Sequence, residues 1–93
     1  MYKTVFILEI EKAVNYMTNI FLSYTIFLPF PPQLEHYYTC GCFQSYIEDI
    51  EYDIDKHCFI CFLGKDIDDD VNKLTEFYLD LGWDFYDKDL TNE

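Results

Sequence analysis

The sequence predicts an α+β fold: a small antiparallel or mixed sheet with two or three helices on it, arranged on a split βαβ (ferredoxin-like) plan. Three observations carry that expectation. Runs rich in β-branched and aromatic residues recur at 3–10, 24–28, 36–43 and 57–63. Apolar residues at helical spacing fill 13–24, 45–55 and 68–81. With 93 residues, 51% hydrophobic and 20% aromatic, the chain has the length for one domain and the side-chain area for one core. The same content excludes intrinsic disorder, which goes with low hydrophobicity and few aromatics.

Taken in order, residues 3–10 form the first expected strand. Ala13, Val14, Met17, Ile20, Phe21 and Tyr24 then recur at helical spacing, although Ile and Phe make that helix weak by propensity. Residues 24–28 return to strand character and stop at Pro29, where Pro29-Phe30-Pro31-Pro32 is a rigid, extended connector. Residues 36–43 read as a strand. Segment 45–55 has two readings. Ser45 with Glu48 is a capping box and Ile47, Ile50 and Ile54 are spaced for a helix, which is the reading preferred. Alternatively, Ile50, Tyr52 and Ile54 alternate with Glu51, Asp53 and Asp55 as in a strand. Residues 57–63 are an almost continuous apolar strand ending at Gly64. Asp68 is the expected N-cap of the last helix, with Asp69 and Asp70 in its first turn and Val71, Leu74, Phe77, Tyr78 and Leu81 as its apolar stripe. Gly82 stops it, and a short strand follows through Trp83, Phe85 and Tyr86.

The chain reads as a single domain over 1–93, since no Gly/Ser linker divides it, but charge divides it sharply. Residues 1–47 carry a net charge of −1 and residues 48–93 a net charge of −11, so a near-neutral core and interface half precedes a strongly acidic one. With six Lys, no Arg and eighteen acids, the protein is not a phosphate binder: affinity for nucleic acid rests on Lys and Arg neutralising phosphates. Anionic membrane surfaces repel it equally. The N-terminus lacks the features of a secretory signal, and the charge-free segment 13–34 is broken by polar residues and three prolines. The expectation is a cytoplasmic protein with reduced cysteines.

Candidate chemistry is sparse. Cys40-x-Cys42 and Cys58-x-x-Cys61 offer four thiolates at nearly zinc-ribbon spacing. A strand through residues 58–63 sends Cys58 and Cys61 to opposite faces, however, and buried thiols serve equally well as small hydrophobes. His57 beside Cys58 fails as a base–nucleophile pair for the same reason. Asp66, Asp68 and Asp70 resemble the start of a calcium loop, but Val71 stands where Gly is needed and Phe77 where a bidentate Glu is needed. No triad or phosphate-binding loop is present, so neither an enzyme nor a cofactor is expected.

The acidic half itself remains. A charge run is ordinarily a solvated face. Eleven net charges in that half nevertheless exceed the ~2–8 that solubility asks of a small domain, at a cost in self-repulsion. The candidate surface comprises Glu48, Asp49, Glu51, Asp53, Asp55, Asp66, Asp68, Asp69, Asp70, Glu76, Asp80, Asp84, Asp87 and Asp89. Asp49, Glu51, Asp53 and Asp55 alternate at strand spacing, whereas Asp69, Lys73, Glu76 and Asp80 form a helical row interrupted by a lysine. Rigid elements carrying acids at such intervals present carboxylates as spaced anions. Two copies would place −22 from their acidic halves, the phosphate charge of roughly 37 Å of duplex.

In its overall character the chain resembles the T-even phage anti-restriction nuclease family, the Arn-type DNA mimics. The resemblance covers the whole length, a small Tyr-, Phe- and Asp-rich chain opening MYKTVFILEIEK and closing TEFYLDLGWDFYDKDLTNE. It implies a homodimer that occupies the DNA-binding surface of a modification-dependent restriction endonuclease and protects phage DNA without catalysis. The acids would then stand in for phosphates and the cysteines would be structural. Two rival expectations are a zinc-stabilised adaptor using the four cysteines and an acidic partner of a basic protein without DNA mimicry.

Overall fold

The structure, a computed structural model, describes residues 1–12, 19–41, 43–68 and 70–86. Its elements are β1 (Tyr2–Lys12), β2 (Asn19–Leu28), β3 (Tyr37–Cys40), β4 (Phe43–Tyr46), β5 (Asp49–Asp53), β6 (Cys58–Asp68), α1 (Val71–Asp80) and β7 (Asp84–Phe85). Five strands form one sheet in the order β5-β6-β1-β2-β7, and β3 and β4 form a separate hairpin. β1 runs parallel to β6; the other pairings in the large sheet are antiparallel.

The period-2 alternation of β1 organises the molecule. Thr4, Phe6, Leu8 and Ile10 are buried on one face, where Leu22 and Leu28 of β2 and Cys61 and Leu63 of β6 join them. The β3–β4 hairpin and α1 cover this face. Phe43 and Tyr38 place their rings 4.7 and 5.9 Å from Phe6. Beyond α1, Trp83 is 2% exposed and sits within 5.5–5.8 Å of the rings of Tyr24, Phe43 and Tyr78. Such tilted and edge-on pairs contribute about 0.5–1.5 kcal/mol each beyond the area they bury. Asp70 caps α1 through its side chain, which accepts from the Lys73 N–H at 3.1 Å. Gly82 adopts φ +104, a left-handed conformation that turns the chain back toward the core at no steric cost.

Between β1 and β6 the register shifts. Ile7 pairs with Phe62, but Glu9 pairs with Lys65, so β6 carries one extra residue at Leu63–Gly64. A Cβ on Gly64 would lie 3.2 Å from Glu48 Oε1, which fits Glu48 close over the irregularity.

The α+β expectation of two or three helices on a split βαβ plan is corrected: the protein is mostly strand, with a single short helix among the described residues. Where a helix over 13–24 is expected, residues 19–28 form β2, because Ile20, Leu22, Tyr24, Ile26 and Leu28 alternate onto the core and Leu22 is fully buried; residues 13–18 lie outside the described ones. Within segment 45–55, residues 49–53 follow the alternating reading as β5, Ser45 and Tyr46 end β4, and Ile54 and Asp55 lie in the turn after β5; the Ser45 hydroxyl donates to the Tyr46 carbonyl. The expected strand 36–43 is a hairpin reversing at Gly41. The helix N-cap is Asp70 rather than Asp68, which leaves no acid in the first turn. Among the described residues no helix is long and apolar enough to cross a membrane.

Candidate acidic surface

β5 is an edge strand, and its register decides where its acids go. Asp49, Glu51 and Asp53 pair with Phe62, Ile60 and Cys58, so their side chains share the sheet face opposite the core. Ile50 and Tyr52 pair with Cys61 and Phe59 and point the other way. Asp49 and Glu51 are exposed and Asp53 is half-buried, about 6.6–6.8 Å separating each from the next. Exposed Glu48 precedes the row and exposed Asp55 follows it. The turn after β5 is held by Asp53 Oδ1, which accepts from the Lys56 N–H at 3.1 Å, and by His57 at φ +53. On the outer edge, the Ile50 N–H donates to Asp49 Oδ1 at 2.9 Å.

The opposite edge adds one described acid. Asp84 of β7 pairs with Ser23, and one row across the sheet therefore reads Asp49, Phe62, Ile7, Ser23, Asp84. Four strand spacings put the acids at its ends about 19 Å apart. Between them lies a mixed strip, with Val5, Phe21, Ile60 and Phe62 half-buried, Phe27 59% exposed, and Thr25 and Ser23 of β2 beside Val5 and Ile7. At one end of the strip Lys65 meets Glu11 at 3.2 Å and Glu9 at 3.8 Å. The hydrogen bond to Glu11, then the charges of Glu11 and Glu9, hold the Lys65 ammonium above its ordinary value. Among the described residues no salt bridge involves Asp49, Glu51, Asp53 or Asp55.

The other predicted acids do not join this row. Glu76 and Asp80 are exposed on α1, which lies over the covered face, and Asp70 is spent on its cap. Asp66 is half-buried in β6, where Asp66 Oδ2 accepts from the Tyr78 hydroxyl at 2.8 Å. Burial, reinforced by that hydrogen bond, raises the Tyr78 phenol well above its usual value. Asp68 ends β6 opposite Lys12, while Asp69, Asp87 and Asp89 lie outside the described residues.

The cysteines do not converge. Cys40 is exposed on the hairpin, Cys58 and Cys61 are buried on opposite faces of β6, and Cys42 lies outside the described residues. Burial pushes the Cys61 thiol up to about 12, which keeps it protonated and inert at neutral pH. Among the described residues no group of three or more His, Cys, Asp or Glu is placed to hold a metal. Glu9, Glu11 and the mixed strip were missed in the sequence; alternation along β1 is the signal that exposes them, once its pairing with β6 is known. No family model, curated protein or solved structure matches the chain.

Proposed function

We propose that the protein is a DNA-mimic inhibitor: its carboxylates occupy the DNA-binding surface of a modification-dependent restriction endonuclease and so protect phage DNA from cleavage. The observation that carries this reading is the row Asp49, Glu51 and Asp53 on one edge strand, followed by exposed Asp55, none of the four in a salt bridge among the described residues. A strand row offers one charge per ~6.7 Å, against one per ~3.4 Å along a single DNA strand. A second row is therefore required, and a homodimer supplies it. One protomer is 38 Å in its longest dimension, comparable with the ~37 Å of duplex whose charge two acidic halves match.

The mechanism is competitive occlusion. Acids engage Lys and Arg of the nuclease, steer its approach and exclude duplex from the same surface. No bond is made or broken. Because the pairs are solvent-exposed, screening over a ~8 Å Debye length at physiological ionic strength weakens them.

The test is cleavage of cytosine-modified DNA by such an endonuclease, titrated with the protein at two salt concentrations beside an unrelated nuclease. Selective, salt-sensitive inhibition that weakens several-fold in Asp53→Asn and Asp55→Asn supports the reading. Undisturbed cleavage with the protein in clear excess removes it for that target.

A further inference from the structure

The edge of a sheet offers backbone N–H and C=O groups to any further strand, and the two ends of this sheet treat that exposure differently. β5 carries Asp49, Glu51 and Asp53, and Asp49 Oδ1 occupies the Ile50 N–H on its outer edge. At the other end, β7 covers only part of β2. It pairs with Leu22 and Ser23, and the Tyr86 N–H donates to the Phe21 carbonyl at 2.8 Å. That bond fixes the phase of β2. The backbone groups of residues 21, 23, 25 and 27 face outward, while the even residues bond to β1 through an uninterrupted register. Beyond β7, Thr25 and Phe27 are exposed, and among the described residues nothing bonds to their outward N–H and C=O. The stretch Tyr24-Thr25-Ile26-Phe27-Leu28 has high strand propensity and none of the devices that guard an edge: no charge, no proline, no bulge.

We infer that residues 24–28 are a self-association edge: two copies join β2 to β2, antiparallel, about a two-fold axis at Ile26, and their sheets become one. Register, shape and charge select a second copy as the occupant. In this register Thr25 faces Phe27 of the other copy, and each exchanges both N–H···O=C bonds with it, so every outward group is satisfied. A slip one way sets Thr25 against Pro29, which has no N–H; a slip the other way sets Phe27 against Ser23, already paired with Asp84. The second strand ends at Leu28 beside Tyr24, just short of the place that β7 takes beside Ser23, and the chain bends away at Pro29 and Phe30. Across the join, Phe27 meets Thr25 on one face and Ile26 meets Ile26 on the other, aromatic and β-branched pairs that suit a sheet. No Asp, Glu, Lys or Arg occurs from residue 13 to 34, so two chains of net charge −12 meet where repulsion is least. Pairing through β5 would set acids against acids.

The inference rests on the inhibitor reading for its purpose, since that reading calls for a second acid row, but not for the pairing itself. A two-fold axis perpendicular to the sheet keeps both rows on the same face. The two β5 strands then stand at the far ends of the joined sheet, seven strand spacings or ~34 Å apart. One turn of duplex, the separation of the half-sites that a dimeric DNA-binding protein reads, is ~34–36 Å.

The experiment uses the full chain. Sedimentation velocity over a range of concentrations reads assembly, and amide hydrogen exchange followed by NMR reads the edge. The expected result is a dimer that dissociates on dilution, with the Thr25 and Phe27 amides exchanging at least about tenfold more slowly where the dimer prevails. Thr25→Pro removes an outward N–H without touching the ladder to β1, and Phe27→Lys places a charge on the edge. Both should remain monomeric at every concentration, whereas Phe77→Ser on α1 should dimerise like the wild type. Urea midpoints confirm that each variant is folded. A wild type that is monomeric throughout overturns the inference, as does a dimer that neither edge variant dissociates. So does protection of Thr25 and Phe27 that is independent of concentration, because the chain's own residues would then cover the edge. Nuclease inhibition is scored on the same samples: inhibition by a monomeric wild type removes this inference alone, and dimerisation through this edge without inhibition removes only the inhibitor reading.

Discussion

The two faces of the sheet are made by alternate residues of the same strands, and neighbours on β1 show how differently they are built. Phe6 is fully buried beneath the rings of Tyr38 and Phe43. Ile7 is 2% exposed on the opposite face, where its register neighbours are Phe62 of β6 and Ser23 of β2. A second layer of described residues, the hairpin and α1, lies over the first face. Removing a side chain from beneath that layer should cost far more than trimming an exposed one from the opposite face.

Trp83→Ala should produce the largest effect. It empties the junction where α1, the hairpin and β2 meet, so a loss of about 3–5 kcal/mol is expected from urea unfolding. A loss below 1 kcal/mol would mean that the two faces are alike after all. Alkali is the next largest perturbation, and it also acts on the covered face. Folding raises the Cys61 thiol to about 12 and raises the Tyr78 phenol, so the native state holds these protons more tightly than the unfolded chain. The stability they contribute is intact below the unfolded values, near 8.5–9 for the thiol and 10 for the phenol, and declines as pH climbs through the folded ones. Urea midpoints should fall from about pH 9 upward, by at most about 1.4 kcal/mol per pH unit for the thiol, and Cys61→Ala should flatten that fall.

A smaller loss sharpens the comparison from the helix that covers the core. Asp70→Ala should cost about 1 kcal/mol through the lost cap, read by urea and by reduced helical circular dichroism. The smallest effect belongs to the face opposite the core: Phe27→Ser, at a side chain 59% exposed, should stay within about 0.5 kcal/mol by urea unfolding of the dilute monomer. A larger loss there would mean that Phe27 is packed within a single copy in solution and that the two faces contribute more equally.

How much of this was legible depended on how many periods a segment fits. β1 and β6 are apolar, β-branched runs with few helical alternatives, and α1 has an apolar stripe and a glycine stop, so all three were readable. Segment 19–28 was not, since Ile20, Phe21 and Tyr24 satisfy helical spacing while Ile20, Leu22 and Tyr24 satisfy alternation. Neither neighbour of a strand is visible from the strand itself, and it was pairing with β1 that decided the matter. For β5 the same ambiguity concealed which residues share a face, although the acids themselves were evident. The strip on the face opposite the core was the least legible feature. It exists only because residues 4–7 lie in parallel register beside 59–62, a pairing between distant segments that no local pattern encodes.

That parallel pairing has a consequence for how the chain is made. β1 leaves the ribosome before either of its sheet partners; it can pair with β2 soon after, but its other edge must wait for β6, some 50 residues later. At ~5–20 residues per second the wait is roughly 3–10 s, during which an apolar strand offers open backbone groups to any neighbour. Loop closure over such a distance makes β6 docking the slow step of folding as well. A polysome crowded with these nascent hairpins is thus the setting in which the protein is most exposed to aggregation, and the arrival of residues 58–68 is the event that ends it.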